Sequence, residues 1–218
     1  MRPAVDLRGY LEEEREKVER ALDQALDSLL PKIPEDLRGP LSHGVMSGGK
    51  RLRPVLCVAA YRAAGGRDGG IYPLAVSLEL IHAYSLMHDD LPCMDDADLR
   101  RGEPTTHRVH GEAATTVAGA LLIPAAILHA FDAAEGLNLL EDQCRRLVRE
   151  LARAAGGGGM VGGQVLDLLG EEEDLSHGEL DDLHKRKTGA LLRASLRMGG
   201  IAAGAASEAL VGLDRYGE

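Results

Sequence analysis

The chain of 218 residues carries 25 Lys and Arg against 35 Asp and Glu, a formal net charge of −10, with no Trp and a single Phe. That balance excludes a nucleic-acid binder of the usual basic, aromatic kind, and 44% hydrophobic with 28% charged residues excludes disorder along the whole chain. Cys57, Cys93 and Cys144 are odd in number and lack CxxC spacing, so the reading is reduced thiols in a cytosolic protein rather than a disulfide framework or a zinc site. One domain over residues 1–218 is expected, with no signal-peptide core and no run of the roughly 20 uncharged apolar residues that a membrane span needs.

In chain order, Val18, Leu22, Ala25 and Leu29 recur at helical spacing behind an acidic opening, and Pro31 closes that segment. A second helix is predicted from Pro54 to the stop at Gly65 and Gly66, and a third from Tyr72 to Pro92. Further Ala- and Leu-rich helical stretches cover 113–135, 140–155, 163–169 and 176–203. No alternating β-branched run competes with them. The fold class is therefore all-α, a bundle of long, mostly antiparallel helices whose sites are built from side chains facing each other across a central cavity. Gly156 to Gly163, GGGGMVGG, reads either as a connector or as a place where missing side chains admit close approach to the backbone.

Five carboxylates, Asp89, Asp90, Asp95, Asp96 and Asp98, follow the third helix directly. A charge run is ordinarily a solvated face, but here His82 and Asp89 stand seven residues apart and share one face of a core-like helix with Ser85 and Leu86 between them. Pro92 must kink or end the helix, which lets the chain curl Asp95 back towards Asp89. Two such carboxylates suit Mg²⁺, a hard ion that keeps waters and bridges a few carboxylates to substrate phosphates. Cations flank the cluster: Arg100 and Arg101 after it, and Lys50, Arg51 and Arg53 in GGKRLRP before it. They are either surface charges or phosphate ligands. Read together, the pattern implies two anionic subsites, one reached through metal and one through cations. Lys187 and Thr188 in HKRKTG, and Gln164 one turn from Asp167 in GGQVLDLLG, are weaker signals.

The motifs GGKRLRP, ELIHAYSLMHDDLPCMDDADLRRGEPTTH, GMVGGQVLDL and HKRKTGALL, in this order and spacing, resemble the trans-prenyl diphosphate synthases, especially the short-chain farnesyl and geranylgeranyl branch, from Ser42 to Glu218. The resemblance implies an isoprenoid-synthase-type helical bundle that condenses isopentenyl diphosphate with an allylic diphosphate. It places Mg²⁺ on Asp89 and Asp95 with Asp90 and Asp96 supporting, and isopentenyl diphosphate on Lys50, Arg53, His82 and Arg101. Arg100, Lys187 and Thr188 would meet the allylic diphosphate, with Lys187, Thr188 and Gln164 at its reacting end. Tyr84 and Ser85, one turn before the aspartates, would set product length; a bulky Tyr84 resembles farnesyl-producing members, so a C15 product is expected over C20. Homodimerisation is likewise implied.

Two features depart from the family pattern. Ala120 stands where most relatives have Asp, and the second aspartate-rich motif that relatives carry further on is not in the 218 residues. The expectation is a shortened version of a longer enzyme. The other readings are a non-catalytic, small-subunit-like partner of an active synthase and a class I terpene cyclase, though a cyclase leaves GGKRLRP unexplained.

Overall fold

The computed structural model describes residues 6–170 and 175–217; Glu218, where the expected longer chain would continue, lies outside them. Asp6 starts the first helix, α1 (Leu7–Leu29), by accepting the Gly9 N–H at 3.0 Å, which satisfies one of the free donors at a helix start. Pro31 ends it in a short 3₁₀ turn, Leu30–Lys32. Then follow α2 (Glu35–Met46), α3 (Leu52–Ala63) and α4 (Ile71–Asp89). A two-stranded antiparallel hairpin, β1 (Leu99–Arg100) and β2 (Glu103–Pro104), separates α4 from α5 (Thr106–His110) and α6 (Glu112–Gly136). The chain continues through α7 (Glu141–Ala155), α8 (Met160–Gly170), α9 (His177–His184), α10 (Ala190–Ala202) and α11 (Ser207–Gly217).

Helix α4 is apolar on every side, which makes it the axis of the fold rather than a surface helix. Leu74, Leu78, Leu80, Ile81 and Met87 are all buried. It packs most extensively on α6 and also on α3, α1 and α2, while α10 closes the other side against α3 and α7. The all-α expectation holds.

Where structure and expectation differ, the cause is local. Apolar periodicity does not mark α2, whose polar sequence EDLRGPLSHGVM buries only Pro40, Leu41, Gly44 and Val45. Nor does such periodicity mark α5 or the hairpin. The hairpin needs no β-branched run, because Arg101 and Gly102 both take positive φ (57° and 86°) and turn the chain within two residues. The stretch predicted as one helix over 176–203 is interrupted by a π-helical turn at Lys185–Gly189. Of the glycine-rich segment, only Gly156–Gly159 connects; Met160 onward is helical.

The expectation of no membrane-length apolar run is corrected by α6. It is long and apolar enough to cross a membrane by length and composition; Ala113 to Phe131 contains no Asp, Glu, Lys or Arg, its apolar character masked to the eye by small residues, Thr115, Thr116 and Pro124. In this fold it is a core helix against α4, α2 and α7. It buries Ala118, Leu122, Ala126, Ala130 and Ala134 on one face and leaves Val117, Leu128 and Phe131 exposed on another.

Candidate active site

The end of α4 sets the site. After Asp90 the chain winds through a tight, hydrogen-bonded loop in which the Asp95 N–H donates to the Asp89 carbonyl at 2.9 Å, Met94 to Leu91 at 2.9 Å and Ala97 to Asp90 at 3.2 Å. The curl expected from Pro92 is thus made by backbone bonds, and it brings residue 95 back to residue 89. The four aspartates then divide into two pairs. Asp90 is buried and accepts from Arg100 Nε at 2.9 and 2.8 Å and from Nη2 at 2.5 Å. Asp96, in a left-handed conformation, faces Arg108, which also holds Asp98 at 2.5 Å. Asp89 and Asp95 make no ion pair among the described residues.

Burial pushes the Asp89 carboxyl up to about 6; Lys187 opposes the rise and Asp95 reinforces it. A half-buried carboxylate beside a second one is a strained acid that a cation would relieve. Hard oxygen donors of this kind fit Mg²⁺. Among the described residues no three carboxylate, imidazole or thiol side chains converge closely enough to cage an ion alone.

Two cavities meet at this end of the bundle. The first, about 320 Å³, has Tyr84, Ser85, Leu86, Met94, Met160 and Val165 among its walls and Asp89, Gln164, Lys187 and Thr188 at polar points. The second, about 460 Å³, is lined by Gly49, Lys50, Arg51, Leu52, Arg53, Glu79, His82 and Arg101. Arg53 and His82 belong to both. Arg53 Nε, His82 Nδ1 and Gln164 Nε2 are buried without a hydrogen-bond partner among the described residues. Buried polar groups are ordinarily paired, and all three of these residues line the first cavity. Burial, then the charges of Arg53 and Arg101, lowers the His82 pKa to about 3, so its imidazole is neutral at ordinary pH. Burial likewise lowers that of Arg53, with Glu79 opposing and Arg101 reinforcing.

Each expected site residue has a definite place. Arg100 and Arg101 are neighbours, but the hairpin aims them apart: Arg100 closes on Asp90, and Arg101 donates to the Gly48 and Ser47 carbonyls of the GGKRLRP loop. Gly49, with φ 128°, lies against that guanidinium, where any Cβ would come within 2.6 Å of Nη1. Lys50 stays at the surface of the second cavity. Arg51, read from sequence as one more phosphate cation, is instead sequestered; it is only 3% exposed and bonded to Glu19 and Glu79. Tyr84 Oη stands 3.5 Å from the Ala155 carbonyl, a long contact, and the ring meets His88 edge-on at 5.8 Å. Ser85 Oγ donates back to the His82 carbonyl at 2.9 Å, so its hydroxyl is spoken for. Ala120 is exposed on α6.

Lys187 sits in the π-helical turn and pairs with Asp167 of α8. Gly163 makes that approach available: a Cβ there would meet Lys187 N at 2.2 Å and Cα at 2.6 Å. The partners missed from sequence, Asp167 for Lys187, Arg108 for Asp96 and Asp98, and Glu79 and Glu19 for Arg51, lie 20, 10 to 12, and 28 to 32 residues away from the groups they hold. No local spacing rule connects residues so far apart.

Comparison with known proteins agrees with this architecture. The family model for polyprenyl synthetase matches residues 34–218. The chain is 41% identical over 212 residues to a dimethylallyltranstransferase of Fischerella ambigua, covering 97% of the chain and 60% of that protein. It is 39% identical to a chloroplastic geranylgeranyl pyrophosphate synthase of Catharanthus roseus, covering 97% of the chain and 58% of the relative. The crystal structure of an FPP/GFPP synthase from Zymomonas mobilis superposes with a TM-score of 0.84 at 33% identity, over 95% of the chain and 76% of that structure. The chain thus spans about three-fifths of the length of the curated relatives. With the family model matched along most of its length and the helical bundle shared with solved synthases, the chain belongs to the polyprenyl synthetase family of trans-prenyl diphosphate synthases.

Proposed function

We propose that the protein is a prenyltransferase that condenses isopentenyl diphosphate with dimethylallyl or geranyl diphosphate, and that its main product is farnesyl diphosphate. The observation that carries this reading is the pair of adjoining cavities, one cationic and one largely apolar with Asp89 in its wall, joined through Arg53 and His82. In this reading Lys50, Arg53 and Arg101 hold the diphosphate of isopentenyl diphosphate, and neutral His82 orients it by hydrogen bonding. Asp89 and Asp95, supported by Asp90 and Asp96, would hold magnesium. The ion, when bound, supplies charge stabilisation for the leaving diphosphate.

The remaining roles fall to the protein's own groups. Lys187 and Arg100 add positive charge where the allylic C–O bond breaks, which is electrostatic catalysis at the developing anion. Thr188 and Gln164 offer hydrogen bonds on the same wall. The new C–C bond forms from the isopentenyl double bond, and the proton lost goes to the departing pyrophosphate, so no nucleophilic side chain is needed. Tyr84, Leu86, Met160 and Val165 keep water from the cationic intermediate.

Tyr84 supports the C15 product because its bulky ring lines the cavity beside Ser85, although the relatives matched include enzymes named for geranylgeranyl and geranylfarnesyl products. The exposed apolar face of α6, with Val117, Leu128 and Phe131, supports a homodimer; Leu128→Glu should then shift the protein to monomer in light scattering. Activity is tested by incubating the chain with Mg²⁺, radiolabelled isopentenyl diphosphate and geranyl diphosphate. Labelled farnesyl product is expected, with longer products from Tyr84→Ala. Absence of any labelled product would overturn the reading, and C20 as the main wild-type product would overturn its chain-length part.

A further inference from the structure

We propose that Arg51 is a positioning residue that shapes the cationic cavity for diphosphate without touching the ligand. This deepens the reading of that cavity as a diphosphate subsite and rests on it. Arg51 stands next to Lys50 and two residues before Arg53, but its own guanidinium is spent inside the protein. Nε donates to Glu19 Oε1 of α1 at 2.8 Å and Nη1 to Glu79 Oε1 of α4 at 2.8 Å. Nη2 donates to Glu19 Oε2 at 3.3 Å and to the Val45 carbonyl of α2 at 3.2 Å. One side chain thus ties three helices to the loop that carries the cavity's cations. Arg51 and Glu79 are each only 3% exposed, so the ties are shielded from solvent.

The loop needs such an anchor. Arg51 itself adopts φ 47°, a left-handed conformation that is costly for a residue with a Cβ. It follows Gly48 and Gly49 at φ 76° and 128°. Three positive-φ residues among the four from Gly48 to Arg51 do not hold their shape unaided; surrounding contacts must over-determine them. The left-handed step at Arg51 launches α3, where the Val55 N–H donates to the Arg51 carbonyl at 3.2 Å, and so fixes where Arg53 enters the cavity. Glu79 serves a second purpose. Its charge favours the buried cation of Arg53, whose Nε has no hydrogen-bond partner among the described residues. The fork geometry matters, because an ammonium in place of the guanidinium reaches fewer of these acceptors.

The test is calorimetric titration of the purified 218-residue chain with inorganic pyrophosphate in EDTA, a metal-free probe for a site built of cations. The wild type should bind and Arg53→Met should not. Arg51→Lys should weaken binding about tenfold at a temperature where it is fully folded, and Glu19→Gln, a milder change at a partly exposed carboxylate, by a smaller factor in the same direction. In assays with Mg²⁺ the same variants should raise KM for isopentenyl diphosphate and leave KM for the allylic diphosphate unchanged. If the wild type binds pyrophosphate with this variant pattern yet forms no product, the positioning role stands and the prenyltransferase reading fails. Wild-type affinity in a folded Arg51→Lys or Glu19→Gln, or equal rises in both KM values, would overturn the positioning role. So would a wild type that does not bind pyrophosphate at all.

Discussion

The two cavities that meet at the end of α4 would, in the proposed enzyme, make a place for an anion in opposite ways. The cationic one is assembled from permanently charged Arg and Lys side chains, and its problem is like-charge repulsion. It is held together by buried Glu79 beneath the cations and by backbone carbonyls of Ser47 and Gly48 that take up Arg101. The apolar one has Asp89 of the aspartate cluster in its wall, and its problem is the reverse. In that cluster Asp90 and Asp96 are already neutralised by Arg100 and Arg108, while Asp89 and Asp95 are left unpaired among the described residues and Asp89 is raised to about 6. A site that waits for a metal must leave its ligands uncompensated, whereas a site that binds phosphate directly must compensate its cations without covering them.

The largest expected effect that would sharpen this contrast is Asp89→Asn. In the proposed enzyme it should lower product formation by about 10²–10³-fold, since it removes an electrostatic contributor at the departing diphosphate. It should leave metal-free pyrophosphate binding intact. A loss of both would break the separation between the cavities. Arg53→Met should do the converse, with a drop of about 10–100-fold in kcat/KM for isopentenyl diphosphate and little change for the allylic partner, as read from initial rates with each substrate varied in turn.

Gly163→Ala probes the close contact between α8 and the turn that carries Lys187, on the side of Asp89. Its Cβ would lie 2.2 Å from Lys187 N, and backbone cannot give way as a flexible side chain does. A destabilisation of roughly 1–3 kcal/mol is expected, measured by denaturant unfolding. A neutral effect would mean that α8 and the π-helical turn are less tightly joined than their geometry indicates.

The smallest effects concern pH. The Asp89 carboxyl, raised from 3.8 to about 6 on folding, contributes stability that is full below about pH 3.8 and lost as pH rises through about 6. The His82 imidazole, lowered from 6.5 to about 3, contributes stability that is full above pH 6.5 and lost as pH falls through about 3. Thermal melts across that range should therefore show Asp89→Asn relieving the loss between pH 4 and 6, and His82→Gln flattening the acid side below 6.5. Identical profiles for wild type and both variants would show that neither group is as desolvated as its surroundings imply.

Helical spacing made α1 legible, because burying one face of a helix imposes a 3.6-residue period on the apolar positions, while Pro and Gly boundaries marked α3 and α4 and Ala and Leu content marked α6 and α7. Legible too was the curl at Pro92, since proline's missing N–H forbids the helix from continuing past Asp89 and Asp90. The hairpin at Arg101 and Gly102 was not, because two positive-φ residues leave no periodic trace. Nor was the division of labour among like residues. Asp90 and Asp89 are adjacent in sequence, as are Arg100 and Arg101 and also Lys50 and Arg51, yet in each pair the two side chains meet different surroundings. In the first and third pairs one member is buried against a partner and the other is left available. The sequence determined which residue types reach this end of the bundle, through local backbone geometry and the period of the core. Only the tertiary structure decided which charges are spent on one another and which remain for a ligand, because the partners come from α1, α4, α5 and α8, and charge pairing depends on distance through space rather than along the chain.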